Sequence, residues 1–260
     1  MTQSTILVNA DDFGYSNAVN RAIISSLQAN LVTSTSLMVN MPGFADAMAM
    51  VHVFPVLEGK IGLHLNLTEG SPLTAALHGY PEFCDAATGA FVYKRERPLF
   101  RISRPLEKAL YGELKAQMEK AVDAGIRPTH IDSHHHVHTE WAIAPVVCRL
   151  AREYAITRIR LTRNIGRQLG GLRRVYRKLY NTWQLGRHRD LMNMDYFGDI
   201  EDFRTFPGFG AGKRTEIMVH PLFNEQGVLV DMDQQDLRLR LNFIHEHSFI
   251  RCISPNDLNR

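Results

Sequence analysis

The feature that most constrains the fold is the alternation of short strand patterns with amphipathic helical patterns along the chain. In the segment 60–67, an isoleucine and three leucines alternate with Gly62, His64 and Asn66 at the period of two typical of a strand. The segment 105–125 instead repeats leucine, methionine and valine at every fourth position, as a helix does. Strands separated by helices pair in parallel, so we predict an α/β fold.

About seven strand–helix units favour an irregular (β/α) barrel over an open sheet. A chain of 260 residues with 45% apolar content can fill one core, so we expect a single domain over 1–260. The segment 70–104 has no clear period, and both 70–104 and the basic, amphipathic segment 163–212 are predicted to be insertions. Strands are predicted at 5–9, 36–40, 60–67, 129–133, 157–161 and 216–219.

Four separate segments place polar side chains at or near the carboxyl ends of predicted strands. They are the pair Asp11 and Asp12, the strand residue His64, the histidine-rich segment 130–138, and His220. Parallel barrels and open α/β sheets both form their sites at this end of the strands. We therefore expect these four segments to meet at one site.

The segment 130–138 holds five of the twelve histidines of the chain. Crowding them on a solvated face would bring together groups that repel when protonated, so we predict metal binding or catalysis here. Open divalent-metal sites take two or three imidazole or carboxylate ligands from different elements, and a neighbouring carboxylate can act as a base toward water. If the segment is extended, His134, His136 and His138 share one side, and spacing does not choose among them.

Each of these signals also has a simpler interpretation. An Asp-Asp pair before Phe-Gly is typical of a loop or helix N-cap, and a lone histidine such as His64 is often a hydrogen-bonded core residue. Only the density of histidines at 130–138 argues for chemistry without help from the other segments.

Five motifs follow one another along the chain: Val8 to Gly14, Val32 to Thr35, Gly62 to His64, Thr129 to His138 and Glu216 to Pro221. Together they strongly resemble the YdjC-like carbohydrate deacetylases, the family of the ChbG and HpnK type, whereas 70–104 and 163–212 lie outside the resemblance. The resemblance implies a metal-dependent amide hydrolase on an irregular (β/α) barrel related to polysaccharide deacetylases. Its expected substrate is an N-acetylated sugar, either a free oligosaccharide or a lipid-linked glycan.

The resemblance also implies a set of functional residues. Asp12, His64 and His134 would bind the metal, Asp11 would be the general base, and His220 would be the general acid that protonates the departing amine. Two imidazoles favour Zn²⁺ or another late divalent ion, whereas the family resemblance implies Mg²⁺.

Further residues are candidates for supporting roles around this set. We expect Asp132 to orient a ligand histidine. Arg160 would steady Asp11 or the substrate, or would instead be a surface arginine at a strand end. His136 and His138 are candidates to contact the substrate or support the ligands.

A basic segment is joined to an acidic remainder. Residues 158–189 hold ten lysines and arginines and no acidic residue, although the net charge is only +3. Within it, 172–183 has the pattern of a cationic amphipathic helix, with Arg173, Arg174, Arg177 and Lys178 on its polar side. This helix would either pack on the barrel with a solvated basic face or contact an anionic membrane through 163–189. Nucleic acid is not expected, because no recognition fold accompanies the charge.

The sequence also predicts where the protein acts and what else it could be. The amino-terminal residues resemble no signal peptide, and three widely spaced cysteines suit a reducing compartment. We therefore expect a cytoplasmic protein, peripheral at the inner membrane face if the basic segment binds lipid.

Two other functions are alternatives to the hydrolase. They are a non-haem iron oxygenase, which also uses two histidines and a carboxylate, and a catalytically silent metal-binding protein. A homodimer is compatible with the sequence.

Overall fold

The computed structural model describes residues 4–96, 98–166, 171–182, 194–205, 212–246 and 250–259. The strands are β1 Ser4–Phe13, β2 Ser34–Leu37, β3 Ile61–Leu65, β4 Ile131–Ser133, β5 Tyr196–Asp199, β6 Arg214–Val219, β7 Leu222–Phe223, β8 Leu229–Val230 and β9 Ile250–Cys252. The helices are α1 Asn17–Gln28, α2 Phe44–Val53, α3 Arg104–Asp123, α4 Ala144–Glu153, α5 Gly171–Tyr180, α6 Ile200–Arg204 and α7 Leu237–Glu246.

The main sheet is parallel, in the order β4, β3, β2, β1, β6, β5, and β9 pairs with the first residues of β1. The chain at 158–164 links its two edges. Ile159 forms a parallel bridge with Ile131 of β4, and the Asn164 N–H donates to the Phe197 carbonyl of β5 at 3.1 Å. The sheet therefore curves into an irregular barrel, which confirms the predicted α/β class.

The helices are stabilised by side chains that cap their amino-terminal ends and by apolar faces that are buried in the core. Ser16 caps α1 by accepting from the Val19 N–H at 3.3 Å, and Ser103 caps α3 in the same way through Leu106. Leucines of α3, including Leu110 and Leu114, are fully buried beneath the sheet's apolar side chains. Among the described residues, no helix combines the length and apolar character needed to cross a bilayer.

Two predictions about the chain after β4 are corrected. The predicted strand at 157–161 makes only the single bridge at Ile159. The segment 163–212, predicted to be an insertion, contains β5, which pairs in parallel with β6 along four residues. The pattern Tyr-Phe-Gly-Asp is too short and too polar to stand out as a strand, and only its pairing with β6 defines it.

Candidate active site

Asp11 and Asp12 lie in an irregular stretch near the carboxyl end of β1, between the paired residues Ala10 and Phe13, and the backbone sends their side chains to different partners. The register between β1 and β2 shifts between Ala10 and Phe13, and Asp12 has a φ of 72°. Aspartate tolerates this left-handed conformation better than most residues. The bulge therefore points Asp12 at the histidines, whereas Asp11 faces Arg160.

Asp12, His64 and His134 form a cluster. The Oδ1 atom of Asp12 lies 3.1 Å from His64 Nε2 and 3.1 Å from His134 Nδ1. One ligand atom from each residue lies within 4.8 Å of the others. Burial would raise the pKa of Asp12, but the hydrogen bonds from His134 and His64 outweigh it and hold this pKa well below its usual range. Two imidazole nitrogens and a carboxylate oxygen, from three strand ends, fit a divalent ion.

The histidine-rich segment is not extended, and this separates the three histidines that spacing left equivalent. A 3-10 helix at His134–Thr139 follows β4 directly, and His135 and His136 have φ values of 50° and 55°. Of His134, His136 and His138, only His134 contacts Asp12. The expectation that all three share one side is wrong, because the left-handed residues turn the chain.

His136 and His138 lie in the wall beside this cluster. The His136 ring packs edge-on against Phe197 at 5.5 Å, and burial with the nearby Arg160 lowers its pKa well below the usual range. His138 bonds to Ser133 Oγ through Nδ1 and to the Arg160 carbonyl through Nε2, at 3.1 Å. Burial lowers the pKa of His138 to about 3, so it is neutral at physiological pH.

Asp132 holds the second nitrogen of His64. Its Oδ1 lies 2.8 Å from His64 Nδ1, and the Ser36 hydroxyl lies 3.0 Å from the same nitrogen. Burial alone would lower the pKa of His64, but the carboxylates of Asp132 and Asp12 raise it to about 10. This contact turns Nε2 of His64 toward Asp12, as expected for a carboxylate behind a metal ligand.

Arg160 is buried and contacts carboxylates from three strands. Its guanidinium binds Asp11 through two hydrogen bonds of 2.6 and 2.7 Å, and lies 2.7 Å from both Asp132 and Glu216. Only 1% of the residue is exposed, so the alternative of a surface arginine is wrong. Burial would lower the pKa of Arg160, but Asp11 and the other carboxylates raise it well above its usual range.

His220 follows β6 at the same end of the barrel. Because Ala10 pairs with Val219, the next residues of the two strands are Asp11 and His220. The main-chain N–H of His220 donates to Asp231 Oδ1 at 2.8 Å, which fixes the turn after β6. Its side chain is partly exposed and close enough to His136 to lower that residue's pKa.

Sequence reasoning missed Ser36, Glu69 and Tyr15. Ser36 donates to Asp132 Oδ2 at 2.9 Å and accepts from the Asn9 amide at 3.0 Å. Glu69 Oε1 lies 3.3 Å from His134 Nε2, and Tyr15 hydrogen-bonds to Glu69. The strand position of Ser36, beside the strand of His64, is a signal that could have found it; Glu69 lies in a turn without a periodic signal.

A cavity of about 460 Å³ adjoins the histidines. His135 and His136 line one side, and the aromatic rings of Trp141, Tyr176 and Tyr180 line another. Trp141 donates its indole N–H to the Tyr176 hydroxyl and packs edge-on against Tyr180 at 4.9 Å. The remaining lining includes Arg95, Arg163, Arg177 and Glu140.

Comparisons with known proteins agree with this architecture. A family model described as YdjC-like protein matches residues 5–252. A carbohydrate deacetylase from Brevibacillus brevis is 36% identical over 227 residues, covering 86% of this chain and 84% of the relative. One from Halalkalibacterium halodurans is 30% identical over 232 residues, covering 85% and 86%. A crystal structure of a candidate cellobiose-phosphate cleavage protein from Enterococcus faecalis covers 99% of both chains, with a TM-score of 0.71 and 26% identity.

Proposed function

This chain belongs to the YdjC-like protein family, and we propose that it is a divalent-metal-dependent carbohydrate deacetylase that hydrolyses the N-acetyl group of an acetamido sugar. The relatives named carbohydrate deacetylase support the reaction class. The observation that carries the proposal is the cluster of Asp12, His64 and His134 beside Asp11, a second carboxylate that is hydrogen-bonded to Arg160 and to none of these three residues.

Asp12, His64 and His134 would hold the metal ion. When bound, a divalent cation polarises the acetyl carbonyl and makes water a better nucleophile near neutral pH. The nitrogen-rich donor set favours Zn²⁺, whereas Mg²⁺ prefers oxygen ligands. Reloading chelator-treated protein with each ion and measuring affinity and acetate release would distinguish the two.

The chain's own residues would move the protons. Asp11, held by Nη1 and Nη2 of Arg160, takes a proton from the attacking water as the water oxygen bonds to the acetyl carbon. His220, at the adjacent strand end, donates a proton to the amide nitrogen as the carbon–nitrogen bond breaks, because an amine leaves poorly without one. The products are acetate and an amino sugar.

The aspartate assignment is tested by Asp11→Asn. We expect acetate release to fall by roughly 10²- to 10⁴-fold, the usual contribution of a general base, while the protein still binds the ion. Acetate release and metal content per chain are measured together. Loss of the metal would mean that the two aspartates have the opposite roles, and unchanged activity in His64→Ala and His134→Ala variants would contradict the ligand set.

The sugar would occupy the cavity beside His135. Trp141 offers a flat apolar surface, while Glu140, Thr139 and the arginines offer hydrogen bonds to hydroxyl groups. This combination of aromatic and polar groups suits a glycan that extends beyond the acetamido unit. Comparing a monosaccharide with its longer oligomers tests this placement: Trp141→Ala should raise KM most for the longer substrates.

We further propose that α5 contacts an anionic membrane. Leu172, Val175 and Leu179 form an apolar stripe on this basic helix, and 90%, 58% and 63% of these residues are exposed. Part of the basic segment 163–189 lies outside the described residues, namely 167–170, 183–189, which includes Trp183, and the side chains of Arg173 and Arg174. An apolar stripe flanked by cations suits the headgroup region of an anionic bilayer, such as the inner face of the cytoplasmic membrane, where a lipid-linked glycan would be reached.

Vesicle co-sedimentation at physiological salt tests the membrane contact. Phosphatidylglycerol vesicles should bind the protein and pure phosphatidylcholine vesicles should not, and changing Leu172, Val175 and Leu179 together to serine should abolish binding. Absence of binding to the anionic vesicles would contradict it. Light scattering on the same preparation determines whether the chain forms the homodimer that its sequence allows.

The alternative functions make different predictions for the same cluster. An iron oxygenase would consume dioxygen and a reductant, and a silent metal-binding protein would bind the ion without releasing acetate from any N-acetylated sugar. The Asp11–Arg160 pair favours the hydrolase, because a purely structural site has no use for a second oriented carboxylate beside the ligands.

A further inference from the structure

Both histidines of the cluster lie between two carboxylates. His64 directs Nε2 at Asp12 and Nδ1 at Asp132, at 3.1 and 2.8 Å. His134 directs the opposite nitrogen at Asp12: its Nδ1 lies 3.1 Å from Asp12, and its Nε2 lies 3.3 Å from Glu69. Asp132 is hydrogen-bonded to His64, whereas Glu69 is the carboxylate next to His134 Nε2, a buried nitrogen that makes no hydrogen bond among the described residues.

We propose that Glu69 is the positioning residue of His134: a small turn of its carboxylate lets it accept the otherwise unpartnered Nε2–H and leaves the lone pair of Nδ1 facing Asp12, where the metal would bind. This inference rests on the proposed function. A neutral imidazole has one N–H and one lone pair, so a carboxylate that takes the N–H determines which nitrogen can act as a ligand. The same carboxylate makes that nitrogen a better donor to the ion.

The main chain at Glu69 is fixed by a buried side chain. Asn66, directly after β3, accepts through Oδ1 from the N–H groups of Thr68 and Glu69, at 3.0 and 3.1 Å. Its amide group donates to the Glu69 carbonyl at 2.7 Å. The turn that presents Glu69 is therefore clamped to the strand that carries His64.

Tyr15 also contacts the carboxylate of Glu69. Its hydroxyl donates to Glu69, and this hydrogen bond raises the pKa of Tyr15. The Tyr15 ring lies 6.3 Å from the ring of His134, so three loops meet at this point. The Glu69 side chain is 36% exposed, so its removal should perturb the local site more than the core.

Metal affinity of the full chain tests the proposal. Zn²⁺ affinity is measured by competition with a chromophoric chelator, and the unfolding midpoint is measured on chelator-treated protein. Glu69→Ala should weaken affinity by about 10- to 100-fold with an unchanged midpoint, and Glu69→Gln, which still accepts a hydrogen bond, should lose less. The matched control is Glu119→Gln, on α3 with 52% of its side chain exposed, and should change neither quantity.

The nitrogen that binds the ion gives an independent measurement. In the Zn²⁺-loaded protein, ¹⁵N shifts should show His134 bound through Nδ1 and His64 through Nε2. Unchanged affinity in Glu69→Ala, binding of His134 through Nε2, or an affinity loss matched by a lower midpoint would each overturn the role of Glu69. Failure of the proposed function looks different: the wild-type chain binds no ion, or binding survives in His64→Ala and His134→Ala.

Discussion

Arg160 shows what one buried side chain contributes at the scale of the residue. Its guanidinium joins Asp11 of β1, Asp132 of β4 and Glu216 of β6, and all four groups are at most 2% exposed. Three carboxylates this deep would repel each other strongly without a cation between them. Arg160 thus aligns Asp11 for chemistry and also offsets the repulsion among the three buried carboxylates.

Removing this cation should therefore destabilise the whole fold. We expect Arg160→Met to lower the free energy of unfolding by roughly 3–5 kcal/mol, the usual cost of leaving buried charges without their partner. Arg160→Lys should lose less stability, because it keeps the charge but cannot form the paired contact with Asp11. Urea titration of the chelator-treated proteins measures both losses. Wild-type stability in Arg160→Met would contradict the role of this cation.

The site residues differ in how far their roles could be predicted from sequence. The strand patterns pointed to Asp12 and His64 as candidates, but the resemblance alone chose Asp12 over Asp11 as a ligand. The resemblance, not the spacing, selected His134. The sequence could not decide whether Arg160 is buried. Its segment is not a regular strand and pairs only at Ile159, so the alternation of side chains does not show which face is inward. Glu69 reaches His134 only through a tertiary turn.

At the scale of the element, the pairing of β3 with β4 sets the position of His64. His64 lies opposite Asp132. Gly62, two residues before His64 and on the same face of β3, lies beside His130. A side chain at Gly62 would place its Cβ 2.4 Å from the His130 ring, which is buried. The glycine therefore allows the two strands to approach closely enough for the His64–Asp132 contact.

Adding one methyl group should separate these strands. We expect Gly62→Ala to lower the free energy of unfolding by about 1–3 kcal/mol through overpacking and to weaken metal affinity. The control is Gly112→Ala on α3, where a Cβ meets no atom within 4 Å. That change should stabilise the protein by about 0.5–1 kcal/mol, because alanine is the better helix former. Equal effects of the two substitutions would refute the steric argument.

The elements that sequence patterns missed have conformations that do not show as a local sequence period. β5 has four residues, and it is defined by its ladder with β6 rather than by its own composition. The histidine-rich segment was treated as extended, but His135 and His136 adopt left-handed conformations that no periodicity reveals. Long elements such as α3 were predicted well, because many repeats of the same pattern accumulate in them.

At the scale of the whole molecule, the barrel encloses imidazoles that it keeps uncharged. Burial lowers the pKa of His138 to about 3 and lowers those of His130 and His136 well below the usual range. In the unfolded chain these histidines titrate near 6.5. Below that pH the unfolded state binds protons at these histidines and the folded state does not. The stability that these groups contribute at neutral pH is therefore lost on acidification.

The metal-free protein should therefore become less stable between pH 6.5 and pH 5. Each of the three histidines should cost about 1.5 kcal/mol over this window, or about 4–5 kcal/mol together. His64 has the opposite sign, since its pKa is raised to about 10, but its contribution is nearly complete at pH 6.5 and changes little below. Urea titrations with a chelator present, at several pH values, measure the slope. His136→Gln should reduce that slope by about a third, because it removes one of these three imidazoles. A slope unaffected by this substitution would contradict their role, since carboxylates, which titrate near pH 4 in the unfolded chain, contribute little in this window.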